Sequence, residues 1–277
     1  MAMAGNLSFL NLFEQLKKFL TIMKKFLTII LILLLSSSPV KQEGVEMFYC
    51  YRLDDYGGDS SQLASIHDAV IESGYKNIAL GAYQSTLRDN IQKVLDEIDW
   101  FRTWNEEGKI WLIQYDTTTQ LQQPEGYSLS EWENNFKTMS EHGVELFLID
   151  VGEYTLDDPN SFLTTINNLA KKYGVKFGFF DGDGLCNKAN FSTMKAEGIY
   201  VWSTVGVDGE KTWLASGCGK DYPYLITLFW LGSSIMQFDS RAEFEKGLDF
   251  IKRTGTYGNV VEVYDYEGIM PAWGYIA

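Results

Sequence analysis

Charged, helix-like stretches alternate along this chain with short apolar runs, and a single glycine stands at five of the junctions. The five junctions are Gly74 before Asn77–Tyr83, Gly108 before Ile110–Asp116, Gly143 before Val144–Asp150, Gly174 before Val175–Asp181 and Gly198 before Ile199–Ser203. Glycine accepts the left-handed conformation that ends many helices, and a short apolar run directly after it is typical of a buried strand. The pattern therefore predicts repeated βα units.

The alternation extends to both sides of these five units. Further strands are predicted at Phe48–Leu53, Tyr224–Trp230 and Val260–Asp265. Helices are predicted at Ser60–Ser73, Thr86–Glu106, Ser130–His142, Pro159–Tyr173, near Lys188–Glu197, near Lys211–Ser216 and at Ser240–Arg253. Eight strands alternating with seven helices indicate a single α/β domain, a (β/α)8 barrel, for which roughly 250 residues are typical. Only Tyr266–Ala277 follows the last strand, so we expect the eighth helix to be missing or truncated.

The first 39 residues have a different character from the barrel region. Met23-Lys24-Lys25 precedes the apolar run Phe26–Leu35 and the small residues Ser36–Pro39, an order that is typical of a secretory signal. This run is too short to span a bilayer, which needs about 20 apolar residues. We interpret residues 23–39 as a signal peptide or an uncleaved N-terminal anchor, residues 1–22 as an extension of uncertain role, and residues 40–277 as the barrel. A secreted or extracytoplasmic protein follows, with that anchor as its one link to a membrane.

The chain is acidic, with a formal net charge of −14 at pH 7. Nucleic-acid backbones bind to clusters of Lys and Arg, and the sequence shows no such cluster. We therefore expect no nucleic-acid partner. A neutral or cationic ligand suits this charge better.

Three cysteines fit an exported protein. Cys50 lies inside the first strand, where we expect a small core residue. Cys186 and Cys218 follow the fifth and sixth strands, and a barrel places these neighbouring loops side by side, so we predict a disulfide between them. Their spacing matches no zinc motif.

Acidic, amide and aromatic side chains gather where the predicted strands end. In a (β/α)8 barrel the C-terminal ends of the strands hold the active site. The candidate site residues are Asp54, Asp55, Tyr83, Gln114, Asp116, Asp150, Glu153, Asp181, Asp183, Trp202, Trp230, Glu262 and Tyr264. An aspartate in such a position can instead cap the following helix, an alternative that we weigh for Asp54 and Asp55.

The phase of each strand bears on two of these acids. Asp150 shares a strand face with Leu146 and Leu148, and Asp181 shares one with Phe177 and Phe179. Both faces of a parallel barrel strand are apolar, so the alternation does not decide which face lies inside.

Two opposite charges stand within the first and last strands. Glu262 lies between Val261 and Val263, and Arg52 follows Tyr51 in the first strand. These strands are neighbours in a closed barrel, and a buried charge needs a partner, so we expect the two residues to pair inside the lumen. The pair is either a structural ion pair below the active site or a substrate contact.

The residues that are absent exclude several reaction classes. The two histidines, His67 and His142, fall on predicted helices, so neither a multi-histidine metal site nor histidine acid–base catalysis is expected at the strand ends. No phosphate-binding glycine loop or GxSxG motif occurs, and Lys176 lies near the start of its strand, away from a Schiff-base position. We expect no metal and no cofactor.

A histidine-poor barrel with carboxylates at its rim and many aromatic residues suits glycoside hydrolysis, in which two carboxyl groups flank the scissile bond. The chain resembles the TIM-barrel glycoside hydrolase superfamily through its βα pattern over about residues 46–265 and through the acids Asp150, Glu153, Asp181 and Asp183. The resemblance is architectural. The Asn-Glu pair of the largest clan and the DxxDxDxE pattern of chitinases are both missing.

An aspartate that ends strand four is similar to the nucleophile of α-glycoside-cleaving families, whose acid usually follows strand five or six. The resemblance thus implies Asp150 as nucleophile or base and Asp181 as acid, with Asp183 or Glu153 as alternatives. The other candidate residues would contact an oligo- or polysaccharide, with Tyr83, Trp202 and Trp230 offering flat faces to sugar rings. Trp111 and Tyr200 are more typical of barrel packing.

The alternative hypothesis is a non-catalytic carbohydrate-binding or cell-surface barrel, because a fold does not imply an activity. A third hypothesis is an exported scaffold protein whose rim acids are solvated caps. The enzyme remains the leading interpretation.

Overall fold

A computed structural model of the protein describes residues 23, 46–56, 60–115, 127–150, 159–180, 186, 189–208, 211–214, 218–219, 221–231, 237–238 and 240–263. The strands in this part are β1 (Met47–Arg52), β2 (Asn77–Tyr83), β3 (Ile110–Tyr115), β4 (Val144–Ile149), β5 (Lys176–Phe180), β6 (Tyr200–Asp208), β7 (Lys211–Leu214), β8 (Leu225–Leu231), β9 (Gln237–Phe238) and β10 (Gly258–Val263). The α-helices are α1 (Ser60–Glu72), α2 (Gln84–Asp89), α3 (Ile91–Trp104), α4 (Leu129–Glu141), α5 (Pro159–Lys172), α6 (Phe191–Glu197) and α7 (Arg241–Thr254). A short 3-10 helix, Leu53–Tyr56, follows β1.

Eight parallel strands close into a barrel in the order β1, β2, β3, β4, β5, β6, β8, β10. The closing contact is between β10 and β1, where Phe48 lies opposite Val260 and Cys50 opposite Glu262. Helices surround this barrel, and the seven helices within the described residues agree with a missing eighth helix. The predicted (β/α)8 architecture is confirmed.

The glycines that precede the strands are required for two different physical reasons. Gly74, Gly143, Gly174 and Gly198 have left-handed backbones, with φ from 67° to 82°. Gly108 is needed for space instead, because a Cβ there would lie 2.5 Å from both the Lys76 carbonyl oxygen and the Phe101 ring.

Two helix predictions were wrong in detail. The single helix predicted over Thr86–Glu106 is divided into α2 and α3, because Asn90 between them has the non-helical angles φ −149° and ψ 51°. The segment near Lys211–Ser216 contains the strand β7, which pairs antiparallel with the end of β6. In that hairpin the Trp213 ring lies directly over Gly206, where a Cβ would collide with it.

Alternate residues of the barrel strands form two separate cores, as the two-residue period of a strand requires. The lumen core consists of Phe48, Cys50, Ala79, Trp111, Ile113, Tyr115, Leu146, Leu148, Tyr200, Trp202, Ile226, Leu228 and Val260. The outer core combines the other strand face with the helices that cover it. This division decides which strand-end residues belong to the lumen.

Aromatic rings fill the N-terminal end of the lumen. Phe48 stacks on Trp111 with ring centroids 3.6 Å apart, and Tyr257 contacts both Trp111 and Tyr200. The packing roles predicted for Trp111 and Tyr200 are therefore confirmed. Lys176 at this end donates to the Tyr257 hydroxyl (2.5 Å), far from the strand ends where chemistry is expected.

Cysteine pairing agrees with the sequence. Cys186 and Cys218 form a disulfide with a Cα–Cα distance of 5.2 Å, and Cys50 is a buried cysteine of the lumen core that forms no disulfide within the described residues. Apart from Met23, the proposed signal segment lies outside the described residues. Within the described ranges, none of the helices is long and apolar enough to cross a membrane.

Candidate active site

Arg52, Tyr115 and Glu262 meet near the C-terminal end of the lumen, and we call them the lumen triad. Arg52 Nε donates to Glu262 Oε1 at 2.7 Å, and the Tyr115 hydroxyl donates to the same oxygen at 2.9 Å. The Arg52 guanidinium also lies over the Tyr115 ring, 4.2 Å from its centroid. The ion pair predicted between Arg52 and Glu262 is confirmed.

Four consecutive strands build the lumen triad, three of them through its side chains and the fourth through a glycine. Glu262 lies on β10 and Arg52 on the adjacent β1, while Tyr115 lies on β3, with β2 between. Gly81 of β2 faces this space, because a Cβ there would lie 2.7 Å from the Tyr115 ring and 3.0 Å from Arg52 Cγ. A side chain at position 81 would therefore displace the arginine from the tyrosine ring.

Burial makes the two donors essential to Glu262. The glutamate is 0% exposed, and the Arg52 side chain is 19% exposed. Removing an ion from water costs several kcal/mol unless a partner and further hydrogen bonds offset it. Burial, and next the negative charge of Glu262, raise the pKa of Tyr115 well above its ordinary value. Tyr115 thus keeps its proton and remains a donor.

An aromatic wall adjoins the lumen triad. Tyr83 and Trp202 each contact Tyr115 edge-on with ring centroids 6.4 Å apart, and Phe180 packs on Trp202 at 4.7 Å. Tyr83 and Phe180 are partly exposed, whereas Trp202 is buried. The sequence identified Tyr83 and Trp202 as site residues but missed Tyr115 and Phe180. Tyr115 could have been found by counting along β3 from Trp111 in steps of two.

Asp150 continues the lumen face of β4. Its backbone N–H donates to the Gln114 carbonyl at 2.8 Å, which extends the β3–β4 pairing by one step. Leu146 and Leu148, with which Asp150 shares its phase, both belong to the lumen core. The strand phase thus assigns Asp150 to the face of β4 that lines the lumen, and the residue is partly exposed.

The same test gives the opposite result for β5. Phe177 and Phe179 belong to the outer core, whereas Phe180 packs against the lumen core. The strand phase that linked Asp181 to these phenylalanines therefore gives no support for a lumen position. Asp181 itself lies outside the described residues.

The burial of Gln114 and the hydrogen bonds of Asp54 indicate structural roles for both residues. Gln114 is fully buried and alternates with Tyr115, so it shares the outer face of β3 with Leu112. Asp54 accepts the Tyr83 backbone N–H at Oδ2 (2.6 Å) and the Thr86 hydroxyl at Oδ1. Asp54 thus links the end of β1 to the start of α2, which is a structural role but not a cap on the helix that follows β1.

Other predicted site residues lie outside the described part of the chain. These are Asp116, Glu153, Asp181, Asp183 and Tyr264, together with the side chains of Asp55 and Trp230. Their proposed roles stay predictions. Within the described residues, no three His, Cys, Asp or Glu side chains are grouped as metal ligands.

A second buried carboxylate lies on the opposite face of β1, and the sequence gave no hint of it. Glu97 of α3 accepts from the Tyr51 hydroxyl at 3.0 Å and lies 2.9 Å from His67 Nε2. The His67 ring stacks on Trp100 with centroids 3.5 Å apart. We call Tyr51, His67 and Glu97 the outer triad, because it joins β1 to α1 and α3 away from the lumen.

Solved structures share this architecture. A β-mannanase from Streptomyces thermolilacinus is 12% identical over 86% of this chain and 93% of the mannanase, with a TM-score of 0.52. A sugar phosphate isomerase/epimerase from Parabacteroides distasonis ATCC 8503 is 10% identical over 86% of this chain and 95% of that protein, with a TM-score of 0.51. The chain has the TIM-barrel fold.

These similarities establish the fold alone. An archaeal Rubisco is 11% identical over 79% of this chain, with a TM-score of 0.48, and the present chain spans 55% of its length. No protein-family model matches the sequence, and no curated protein sequence matches it. The TIM-barrel superfamily contains many chemistries, so the function must be argued from the site.

Proposed function

We propose that this protein is a glycoside hydrolase that cleaves an oligo- or polysaccharide at the C-terminal end of its barrel, with Asp150 as nucleophile or general base. The observation that carries the proposal is the position of Asp150 at the end of β4, in phase with Leu146 and Leu148 of the lumen core. A carboxylate near aromatic faces is the combination that sugar cleavage uses.

The lumen triad supports this proposal because its hydrogen-bonded side chains would form the floor of the ligand site in a fixed arrangement. Arg52 neutralises Glu262, so the pair adds no net charge beneath a ligand. A floor without net charge suits a neutral sugar better than a phosphorylated one, which would require unpaired cations. Tyr83 and Phe180 offer partly exposed ring surface above that floor.

The acid partner is proposed among Asp181, Asp183 and Glu153, the three acids that follow β4 and β5 in the sequence. The strand phase no longer distinguishes Asp181 from the other two. The fold similarity to a β-mannanase adds nothing further, because a sugar phosphate isomerase/epimerase matches to a comparable degree.

The decisive experiment compares Asp150→Asn with Asp249→Asn on a panel of soluble mannans, xylans, glucans and chitosan. Asp249 is an exposed residue of α7, so its substitution controls for loss of one surface charge. Release of reducing ends should fall by at least about 100-fold in Asp150→Asn, a typical loss for a group that transfers protons or attacks substrate. The Asp249→Asn variant should match the parent, and both variants should have the parent's melting temperature.

Equal hydrolysis by Asp150→Asn and the parent would refute the catalytic assignment. Parent protein that binds a glycan but releases no reducing ends would favour the alternative of a carbohydrate-binding barrel. Asparagine variants of Asp181, Asp183 and Glu153, measured one by one, then identify the acid as the variant whose activity falls with that of Asp150→Asn.

We further propose that the protein is secreted or extracytoplasmic. The disulfide between Cys186 and Cys218 supports this, because disulfides persist mainly in oxidising compartments. N-terminal sequencing of the exported protein should find a start near Val40. A chain that retains residues 23–39 in a membrane fraction would instead indicate the uncleaved anchor.

A further inference from the structure

Trp202 of β6 reaches the backbone of β4 across the strand that lies between them. Its indole Nε1 donates to the Ile149 carbonyl at 3.4 Å, and Ile149 is the residue directly before Asp150. Since β5 stands between β4 and β6 in the barrel, this bond does not belong to the pairing of neighbouring strands. The bond is longer than the typical value of about 2.9–3.0 Å, so its expected contribution is that of one modest hydrogen bond.

The peptide group that joins Ile149 to Asp150 is thereby held at both of its polar atoms. On the side of β3, the Asp150 N–H donates to the Gln114 carbonyl at 2.8 Å. On the side of β5, the described strand pairing ends with Ile149 opposite Phe179, and the Trp202 N–H binds the carbonyl. Because a peptide group is planar, two bonds at its opposite edges restrict its rotation and with it the direction in which the Asp150 side chain leaves the strand.

Neighbouring rings hold the indole of Trp202 in place. It packs on Phe180 with ring centroids 4.7 Å apart and meets Tyr115 of the lumen triad edge-on at 6.4 Å. Only 1% of Trp202 is exposed, whereas Tyr83 and Phe180 are partly exposed, so those two rings have more surface with which to stack on a sugar. The indole therefore links the end of β4 to the lumen triad from a buried position.

Trp111 shows that an indole can fill this lumen without using its N–H. It belongs to the same lumen core and is 0% exposed, and its Nε1 has no hydrogen-bond partner within the described residues. Its ring stacks on Phe48 and on Tyr257 at the N-terminal end of the barrel. The bond from Trp202 to Ile149 is therefore not a requirement of packing.

We propose that Trp202 is a positioning residue, which directs the Asp150 carboxylate by holding the peptide between Ile149 and Asp150. The inference rests on the role proposed for Asp150 as nucleophile or general base. A reacting group must be held within about 0.5 Å of its productive position, and a misplacement of about 1 Å can cost about 100-fold in rate. Trp202 thus acts on the reaction through the backbone and not through contact with the sugar.

The test replaces the N–H of a single indole in the full-length protein. 3-Benzothienylalanine, in which sulfur takes the place of the N–H, is incorporated instead of Trp202, and the control carries it instead of Trp111. The substrate is the polysaccharide that the parent hydrolyses fastest among soluble mannans, xylans, glucans and chitosan. We expect kcat to fall about three- to tenfold at position 202, the value of one hydrogen bond, with KM within about twofold of the parent. The control should keep both constants.

Backbone amide hydrogen exchange measures the mobility of this peptide without any substrate. In the variant at position 202 the Asp150 N–H should exchange at least about threefold faster than in the parent, because the peptide opens more easily once one of its two bonds is lost. The Leu148 N–H should exchange as in the parent, and so should both amides in the variant at position 111.

Three results would each overturn the proposal: an unchanged exchange rate of the Asp150 N–H, an unchanged kcat, or a loss that appears in KM and makes Trp202 a direct sugar contact. Equal effects of the replacement at Trp111 would also overturn it, because they would show a general effect on the core. Failure of the proposed function is recognised separately, by Asp150→Asn that hydrolyses as fast as the parent. That result would remove the catalytic role of Trp202, and the exchange rate alone would then decide whether Trp202 holds the peptide.

Discussion

Two successive residues of β1 each bind a buried glutamate, one on each side of the barrel wall. Tyr51 donates outward to Glu97, and Arg52 donates inward to Glu262. Each glutamate interacts with one tyrosine hydroxyl and one nitrogen-bearing side chain, and both are less than 5% exposed. The lumen triad and the outer triad are thus near copies in local geometry.

The nature of the nitrogen group separates the two triads. Arginine keeps its charge at any pH that a protein experiences, whereas histidine is the side chain that changes charge between about pH 5 and 8. The lumen triad therefore contains a cation that keeps its charge, at the end of the barrel where we place the ligand. The outer triad connects α1 and α3 to β1 through its hydrogen bonds. Similar hydrogen bonding thus borders the proposed ligand site in one case and supports helix packing in the other.

The largest expected effect comes from breaking the lumen pair. Arg52→Met leaves the Glu262 carboxylate buried without its cation, and we expect a loss of about 3–5 kcal/mol in the free energy of unfolding. Urea denaturation measures this loss directly. A variant as stable as the parent would show that Arg52 does not neutralise Glu262.

A double variant sharpens this result. Arg52→Met combined with Glu262→Leu removes both charges, so its stability should return to within about 1–2 kcal/mol of the parent, since an apolar pair can replace a buried ion pair. Saccharide binding in the lumen should not return, because the floor has lost its donors. Recovery of both properties together would mean that the triad is structural only.

A smaller effect is expected from the two tyrosines. Tyr115→Phe and Tyr51→Phe each remove one hydroxyl from a buried carboxylate and should each cost about 1–3 kcal/mol in unfolding free energy. Only Tyr115→Phe should also change the KM for the saccharide, because Tyr115 lies beneath the proposed ligand. Equal kinetic effects of the two substitutions would contradict the view that only the lumen triad borders the ligand site while the outer triad supports packing.

The smallest effect is expected at the histidine. His67→Gln keeps a donor within reach of Glu97, so the loss of stability should stay below about 1 kcal/mol, as for a partly exposed pair. The saccharide kinetics should match those of the parent. A loss as large as that of Arg52→Met would show that Glu97 depends on His67 as strongly as Glu262 depends on Arg52.

Local sequence signals were enough to predict the barrel. The junction glycines predicted where strands begin. The backbone is left-handed at Gly74, Gly143, Gly174 and Gly198, and few residues other than glycine adopt that conformation. The division at Asn90 and the β7 hairpin were missed, since each depends on packing between segments that a helical pattern does not record. Trp213 over Gly206 is such a contact.

The site was predictable only in part. Arg52 and Glu262 were paired from sequence because two charges in neighbouring buried strands have few other partners. The inward face of β4 and the outward face of β5 could not be distinguished, because Leu148 and Phe179 are equally apolar. The outer triad escaped notice because tyrosine, histidine and glutamate on β1, α1 and α3 share no spacing along the chain.

The hairpin of β6 and β7 has a consequence for the behaviour of the molecule in concentrated solution. A closed barrel has no free strand edge, but within the described residues β7 and β9 end the sheet. An exposed edge can recruit a strand from another molecule and begin aggregation, and short edge strands limit this hazard. β7 has four residues and β9 has two. The sheet thus extends beyond the barrel, but these two edge strands are too short to pair stably with a strand of a second copy.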